Sequence, residues 1–361
     1  MKYSVIIPVY NRPDEADELL ESLAHQSVKD FEVVIVEDGS TKPCKEVAEK
    51  YANLLDVRYF TKSNGGPGPA RNFGVERAQG EYVLILDSDC VLPEGYMAAI
   101  DAELKENPCD AFGGPDAAHE SFTNVQKAIS YSMTSFFTTG GIRGGKKKGA
   151  MDKFYPRSFN MGVKRSVYND LGGFSKMRFG EDIDFSYRIV EAKHSSRLFP
   201  EAWVWHKRRT DMRKFFKQVF NSGIARINLE KRHPGTMKLV HMLPMVFTVG
   251  VLFLALIFLC GLGMMVFSPW LHDMGVNGEV GMTQGVGLCL CWISMAPILF
   301  YSTVLFVDST LKNYSVIVGF LSVPAAFVQL MGYGFGFIKA WWLRCMLGQD
   351  EFTAFEKNFY D

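Results

Sequence analysis

Three stretches in the last third of the chain contain no Lys, Arg, Asp or Glu: Leu239–Phe267, Met282–Val307 and Asn313–Ile338. Even the shorter ones, at 26 residues, reach about 39 Å as helices at ~1.5 Å per residue, beyond the ~30 Å hydrocarbon core of a bilayer. Soluble core helices do not sustain such runs, so the pattern predicts about three transmembrane or membrane-inserted helices within 239–345, followed by a polar tail at 346–361. Pro324 and the GYGFG run at 332–336 predict that the third segment is kinked or re-entrant.

Charge distribution orients these segments. The formal charge is zero, with 39 basic and 39 acidic residues, and gives no global electrostatic reason to expect a nucleic-acid ligand. That balance is an average over unlike regions. Residues 207–238 hold ten Lys or Arg against two acids, whereas 268–281 hold no Lys or Arg. The positive-inside rule then puts the N-terminal region in the cytoplasm, on a membrane such as the bacterial inner membrane. Three crossings would leave Lys339 and Arg344 outside, where they fit less well. Within 207–238, Phe215, Phe216, Val219 and Phe220 interleave with Lys214 and Lys217, which suits either a basic amphipathic segment on an anionic membrane surface or an ordinary packing helix. The apolar run Val5–Val9 is too short and too soon followed by NRPDE to be a signal peptide. Seven cysteines with no CxxC pair support neither a disulfide framework nor a zinc site.

Residues 1–206 read differently. Strands are expected at Tyr3–Val9, Phe31–Val36, Val57–Thr61 and Tyr82–Leu86, alternating with helices at Glu15–Ala24, Cys44–Tyr51 and Ala70–Ala78. Such alternation predicts an α/β fold with a mostly parallel sheet covered on both faces, which binds ligands at the carboxyl ends of its strands. Three polar clusters fall there: PVYNR (8–12), EDGS (37–40) and Asp87-Ser88-Asp89. Each alone reads as turn residues; their coincidence on one rim points to a ligand site.

Asp87 and Asp89, two apart at a strand end, are expected to point the same way and to share a divalent cation that grips a diphosphate. The turn Gly65-Gly66-Pro67-Gly68-Pro69 contains two prolines, which remove N–H groups that a dinucleotide loop would offer to phosphate, and instead launches a helix that carries Arg71 toward the strand ends. There Arg71 either holds a diphosphate or forms a salt bridge. Glu181, Asp182 and Asp184 open an amphipathic helix, either as dipole complements or with one acting as a general base. His206, after a β-like segment at Ser196–Trp205, is a structural histidine or a third metal ligand. GGIRGGKKKGA (140–150) reads as a loop that either closes over a ligand or is simply solvated.

Together VIIPVYNR, VEDGS, GGPGPARNFGVERAQGEYVLILDSD, FNMGVKRSVYNDLGGF and GEDIDFSYR resemble the family 2 glycosyltransferases across roughly residues 1–230. The resemblance implies a GT-A nucleotide-sugar-binding domain and inverting transfer of a sugar from a nucleoside diphosphate, usually UDP, with Mn²⁺ or Mg²⁺. By position it implies that Pro8, Tyr10, Glu37 and Asp38 line the nucleotide pocket and that Arg71, Asp87 and Ser88 lie near the uridine and diphosphate. Asp89 would hold the metal, helped by Asp87 and His206, and Asp182 would be the catalytic base. Unlike processive synthases of this fold, the chain has no QxxRW before its apolar segments, where Gln218 and Arg226 stand too far apart, so addition of a single sugar is expected. The expected acceptor is a hydroxyl of a lipid-linked saccharide or glycolipid, since the GEDID motif retains a base; polyprenyl phosphate is the alternative, and a non-catalytic nucleotide-sugar-binding scaffold a remote one.

Overall fold

The computed structural model describes residues 1–117, 122–139, 154–177, 179–207, 211–273 and 280–351. The expected loop at 140–150, Arg178 and residues 352–361 of the polar tail lie outside them. In chain order the elements are β1 (Tyr3–Val9), α1 (Pro13–Ala24), β2 (Phe31–Asp38), α2 (Lys45–Tyr51), β3 (Asp56–Lys62), α3 (Pro67–Val75), β4 (Tyr82–Leu86), β5 (Cys90–Val91), α4 (Tyr96–Glu106), β6 (Ala111–Gly113) and β7 (Asp116–Ala117). There follow α5 (Asn124–Thr134), α6 (Phe136–Thr139), β8 (Asn160–Lys164), α7 (Arg165–Asp170), α8 (Glu181–Glu191), β9 (Ser196–Leu198), β10 (Val204–His206) and α9 (Met212–Arg232). Three long helices complete the chain: α10 (Leu239–Asp273), α11 (Val280–Asn313) and α12 (Val316–Trp341).

Seven strands form one sheet in the order β3-β2-β1-β4-β8-β6-β9. The first four run parallel; β8 is antiparallel to both β4 and β6, and β9 runs parallel to β6. The reason is visible in β1. Its continuous apolar run sends Val5, Ile7 and Val9 to one side, against α1 and α4, and Ile6 to the other, with Val34, Val36, Val83 and Ile85. A strand buried on both faces needs helices on both faces, and a parallel sheet with crossover helices supplies them. A second sheet, β5-β10-β7, sits at the carboxyl edge. The expected single β-like segment at Ser196–Trp205 is therefore two strands, one in each sheet.

α10, α11 and the helix that begins with α12 are each long and apolar enough to cross a membrane. Pro324 and the GYGFG run lie within one continuous helix, which does not turn back at either and passes into a π-helical turn at Trp342–Met346. α9 does not lay its whole apolar face on solvent or lipid. Phe215 and Val219 pack with Ile129 and Met133 of α5, and Ile224 and Ile227 pack with Phe337 and Ala340 of α12. What α9 leaves exposed is Arg213, Lys214, Phe216 and Lys217 near its start and Lys231 and Arg232 at its end.

Candidate active site

The carboxyl ends of β1, β2 and β4 bring the polar clusters to one rim. Pro8 is half-buried and Tyr10 is exposed just past β1. Asn11, in a left-handed conformation at φ 55°, ties this end to the next loop: its Oδ1 accepts from Thr41 N at 2.8 Å and Lys42 N at 3.0 Å.

Glu37 and Asp38 end β2 instead of following it. The Glu37 carboxylate is buried and occupied within the protein, accepting from Ser40 Oγ, from Cys44 N at 2.8 Å and from the Tyr59 hydroxyl at 3.1 Å. This residue shapes the loop after β2, and its carboxylate is not turned to an open pocket. Asp38 holds the glycine-rich turn. Its oxygens accept from Gly65 N at 3.0 Å and Gly66 N at 2.8 Å, and Lys62 Nζ lies 2.6 Å away.

α3 starts inside that turn, with Pro67 in its first position, where a missing N–H costs nothing. Arg71 is 4% exposed and bridges two carboxylates, Asp87 Oδ1 at 2.7 Å and Glu181 Oε1 at 2.8 Å. The salt-bridge reading of Arg71 is thus realised, but between residues from the two halves of the site instead of on the surface. Asn72 secures the same junction by donating to Phe174 O at 2.9 Å and accepting from the Tyr168 hydroxyl at 2.6 Å.

Asp87 and Asp89 do not converge. β4 ends at Leu86, so the two-residue period of a strand no longer governs them. Asp87 pairs with Arg71; Ser88 is buried; Asp89 turns the other way, to Arg12 Nη1 at 2.8 Å and His206 Nε2 at 3.2 Å. Pairing of β10 with β5 sets His206 opposite Cys90 and hence beside Asp89, with its ring stacked on Phe159 at 4.9 Å between centroids. Burial works against ionisation of Asp89, but His206 and Arg12 outweigh it and hold its carboxyl well below the usual range.

Among the described residues, Asp89, Cys90 and His206 form the one group whose ligand atoms lie close enough to hold a metal, all within 4.8 Å. Asp89 Oδ1 is buried and faces His206 Nε2 at 3.2 Å. Cys90 is an unsuitable member, because burial raises its thiol well above the ordinary value and its Sγ donates to Phe159 O. A carboxylate and an imidazole fit a divalent cation, so the donor set agrees with Asp89 and His206 as ligands. Asp87, expected to join them, stands outside the group.

α8 begins after Gly180, whose φ of 84° favours glycine. Glu181 and Asp182 in its first turn are both buried. Asp182 Oδ2 receives Arg157 Nε at 2.6 Å, while Oδ1 accepts from Ile183 N at 2.9 Å. Burial alone would raise the Asp182 pKa; the Arg157 guanidinium reverses this and lowers it. Glu181 goes the other way, pushed up to about 7 by burial and the neighbouring Asp182 charge despite Arg71. Asp184 instead faces away into a network with Ser175, Arg188 and His233.

Sequence reasoning passed over Arg12 and Arg157 as individual site residues, and weighed Glu181 only as one of three acids that could supply a base. Arg12 stood within PVYNR and could have been weighed as a carboxylate partner, whereas no local pattern marks Arg157, which meets Asp182 only through folding.

Comparison with known proteins bears on the family and the fold. Residues 4–172 match the profile of Glycosyl transferase family 2. The chain is 37% identical over 137 residues to an uncharacterized glycosyltransferase of Rickettsia felis, covering 38% of this chain and 22% of that protein. It is 45% identical over 114 residues to the poly(ribitol-phosphate) beta-N-acetylglucosaminyltransferase TarS of Staphylococcus aureus, covering 30% of this chain and 20% of TarS. It thus spans about a fifth of the length of these curated relatives. In structure it resembles the mannosyltransferase PcManGT of Pyrobaculum calidifontis, solved with GDP-Man and Mn²⁺, at a TM-score of 0.53 and 16% identity over 94% of this chain and 87% of that one. With a mostly parallel sheet of the GT-A kind and the family's motifs gathered on its carboxyl rim, the N-terminal domain belongs to glycosyl transferase family 2.

Proposed function

We propose that the protein is an inverting glycosyltransferase that moves a single sugar from a nucleoside-diphosphate sugar, of which a UDP-sugar is the leading candidate, to a hydroxyl of a membrane-associated glycolipid or lipid-linked saccharide at the cytoplasmic face. The observation that carries this reading is the joining of two half-sites by Arg71, which links Asp87 on the sheet rim to Glu181 beside Asp182. The first half suits a nucleotide donor and the second an acceptor. TarS, by its name, transfers N-acetylglucosamine to poly(ribitol-phosphate), and PcManGT was solved with a GDP-sugar; a nucleotide-sugar donor is carried over from such relatives as part of the proposal.

In the proposed mechanism Tyr10, Asp38 and Asp87 bind the nucleotide across the rim, with Pro8 shaping its floor. Asp182 takes the proton of the acceptor hydroxyl as its oxygen attacks the anomeric carbon from the face opposite the diphosphate, so the product is inverted. Arg71 and Arg12 contribute positive charge near the departing diphosphate. Asp89 and His206 would hold Mn²⁺ or Mg²⁺, which when bound neutralises charge on the leaving group.

A membrane acceptor is favoured by how the base is mounted. Phe179, three residues before Asp182, packs among Ile224, Ile227 and Phe337, and the Gly180 position abuts Ala225 of α9. The acceptor half of the site is therefore built directly on the helices that form the apolar part of the molecule.

The test is release of nucleoside diphosphate from membranes that contain the full chain, supplied with a panel of UDP-, GDP- and TDP-sugars and native lipid extract, with the lipid product identified by mass spectrometry. Asp182→Asn should reduce transfer by at least ~100-fold while leaving donor affinity within a few-fold. Normal turnover by that variant would reject Asp182 as the base. Product on polyprenyl phosphate in preference to a glycolipid would overturn the acceptor assignment.

A further inference from the structure

Of the three apolar helices, α12 is placed unlike the other two. α10 and α11 form an antiparallel pair that closes near its far end, where a Cβ on Gly261 would meet the Gly287 carbonyl oxygen at 2.6 Å and the converse contact is equally close. The contacts of α12 with this hairpin fall at its base. The N-terminal half of α12 meets the end of α11: Ser322 hydrogen-bonds Ser309 at 2.6 Å, the Phe320 ring lies 4.5 Å from that of Phe306, and Gly319 abuts Thr310. Its middle, Phe327, touches both Phe247 and Tyr301. Its C-terminal half meets the start of α10, with Gly334 against Pro244 O and Thr248. A helix running alongside the pair would reach toward its tip. α12 instead crosses from the base of one helix to the base of the other.

Soluble-domain helices cover part of what the hairpin leaves, while Val316, Ile317, Phe320 and Trp341 stay exposed. α5 packs on Val318 and Ala325 through Ala128. α9 packs on the glycines of the GYGFG run: a Cβ at Gly336 would sit 1.9 Å from the Phe220 carbonyl oxygen, and one at Gly223 would sit 2.1 Å from that of Tyr333. Had α12 crossed the bilayer, α9 would have been drawn in with its exposed Arg213, Lys214 and Lys217.

The end of the chain gives an independent indication of side. Lys231 Nζ donates to the Arg344 carbonyl, and Arg232 Nε lies 3.1 Å from Glu351 Oε2. Lys231 and Arg232 close α9 just before α10 enters the apolar region, and the next residue, His233, lies 3.1 Å from Asp184 of α8. Residues 344–351 therefore touch the catalytic side of the molecule.

We propose that α10 and α11 form a two-crossing membrane hairpin, and that α12 lies in the headgroup plane on the catalytic domain's side with its uncovered face against lipid. The hairpin beyond α12 is long enough for this: 249–273 and 280–300 extend about 38 and 32 Å at ~1.5 Å per residue, against a core of ~30 Å. The exposed Phe136, Phe320, Trp341 and Trp342 supply aromatic anchors suited to that depth. In this arrangement the C-terminal end returns to the side where Lys339 and Arg344 are favoured, which removes the charge conflict of a three-crossing chain.

The proposal is independent of catalytic activity and is tested by topology. Cys345, at the end of this segment, is exposed. In cells making the full chain with Cys260→Ser and Cys289→Ser, a membrane-impermeant maleimide is applied before and after permeabilisation, with Glu46→Cys reporting the catalytic domain and Met282→Cys the hairpin tip. Cys345 should behave as Glu46→Cys does, and Met282→Cys should be labelled from the opposite side, with at least a ten-fold difference before permeabilisation. Cys345 labelled together with Met282→Cys would overturn the proposal, as would all three labelled from one side. A C-terminal epitope on the otherwise unsubstituted chain, probed by antibody before and after permeabilisation, reads the same question should the cysteine variants fail to accumulate.

Discussion

Arg157→Gln tests the acceptor half of the site most sharply, because it changes the base without touching it. Asp182 is 6% exposed and its Oδ2 is 2.6 Å from Arg157 Nε. An opposite charge at this range lowers a carboxylate pKa by ~1–3 units, at ~1.4 kcal/mol per unit. Arg157 is itself 37% exposed, so solvent screens part of the attraction, and its removal should raise the Asp182 pKa by less than a fully buried pair would give. The sign follows from the role: a general base works deprotonated, and removing Arg157 raises the pKa below which activity is lost. The acid limb of the pH–rate profile should therefore move to higher pH, with turnover well above that limb largely retained, since a less acidic carboxylic acid has the more basic conjugate. Arg157→Lys, which keeps the charge but not the planar guanidinium, should give a smaller displacement. The assay is nucleoside diphosphate release across pH 4–9 at saturating donor. An unmoved limb with a uniform loss of rate at every pH would refute the reasoning and make Arg157 a substrate contact instead of a regulator of Asp182.

Asp89→Ala should weaken Mn²⁺-dependent donor binding by at least ~10-fold, measured by calorimetry with and without the metal; unchanged metal dependence would remove Asp89 from the ligand set. Gly336→Val should sharply lower the yield and thermal stability of detergent-extracted protein, because any Cβ there displaces the α9 backbone; wild-type elution and melting would contradict the α9–α12 packing. The expected losses in Asp182→Asn and the shared sidedness of Cys345 and Glu46→Cys complete the set.

Much of the fold was legible because its signals are local. Strands buried on both faces advertise themselves as unbroken apolar runs, as in Tyr3–Val9 and Tyr82–Leu86, and the helices between them show their inward stripe. The polar clusters at 8–12, 37–40 and 87–89 were placed on one rim by topology alone. Where local periodicity ceased, so did the reading. Asp87 and Asp89 sit one and three residues beyond a strand, and the turn there sends them to different partners. Glu37 and Asp38 keep the motif's residue types, yet their oxygens are held by backbone N–H groups, a lysine and hydroxyls that only the folded chain brings near. The GYGFG run signalled a departure from ordinary helix, and its glycines instead permit close approach: Gly332 and Gly336 face α9 and Gly334 faces α10.

By itself, then, the sequence determined a parallel α/β domain with a polar carboxyl rim, its family resemblance, and an apolar C-terminal region able to enter a membrane. These follow from side-chain periodicity and from runs long enough to be read without knowing any partner. Tertiary structure alone decided which charges meet: Arg71 between Asp87 and Glu181, Arg157 on Asp182, and His206 beside Asp89 through the β5–β10 register. It also decided that α12, indistinguishable by composition from a spanning helix, lies across the base of the α10–α11 pair. Hydropathy measures a segment against an average environment, whereas the depth at which a helix rests depends on the neighbours that cover it.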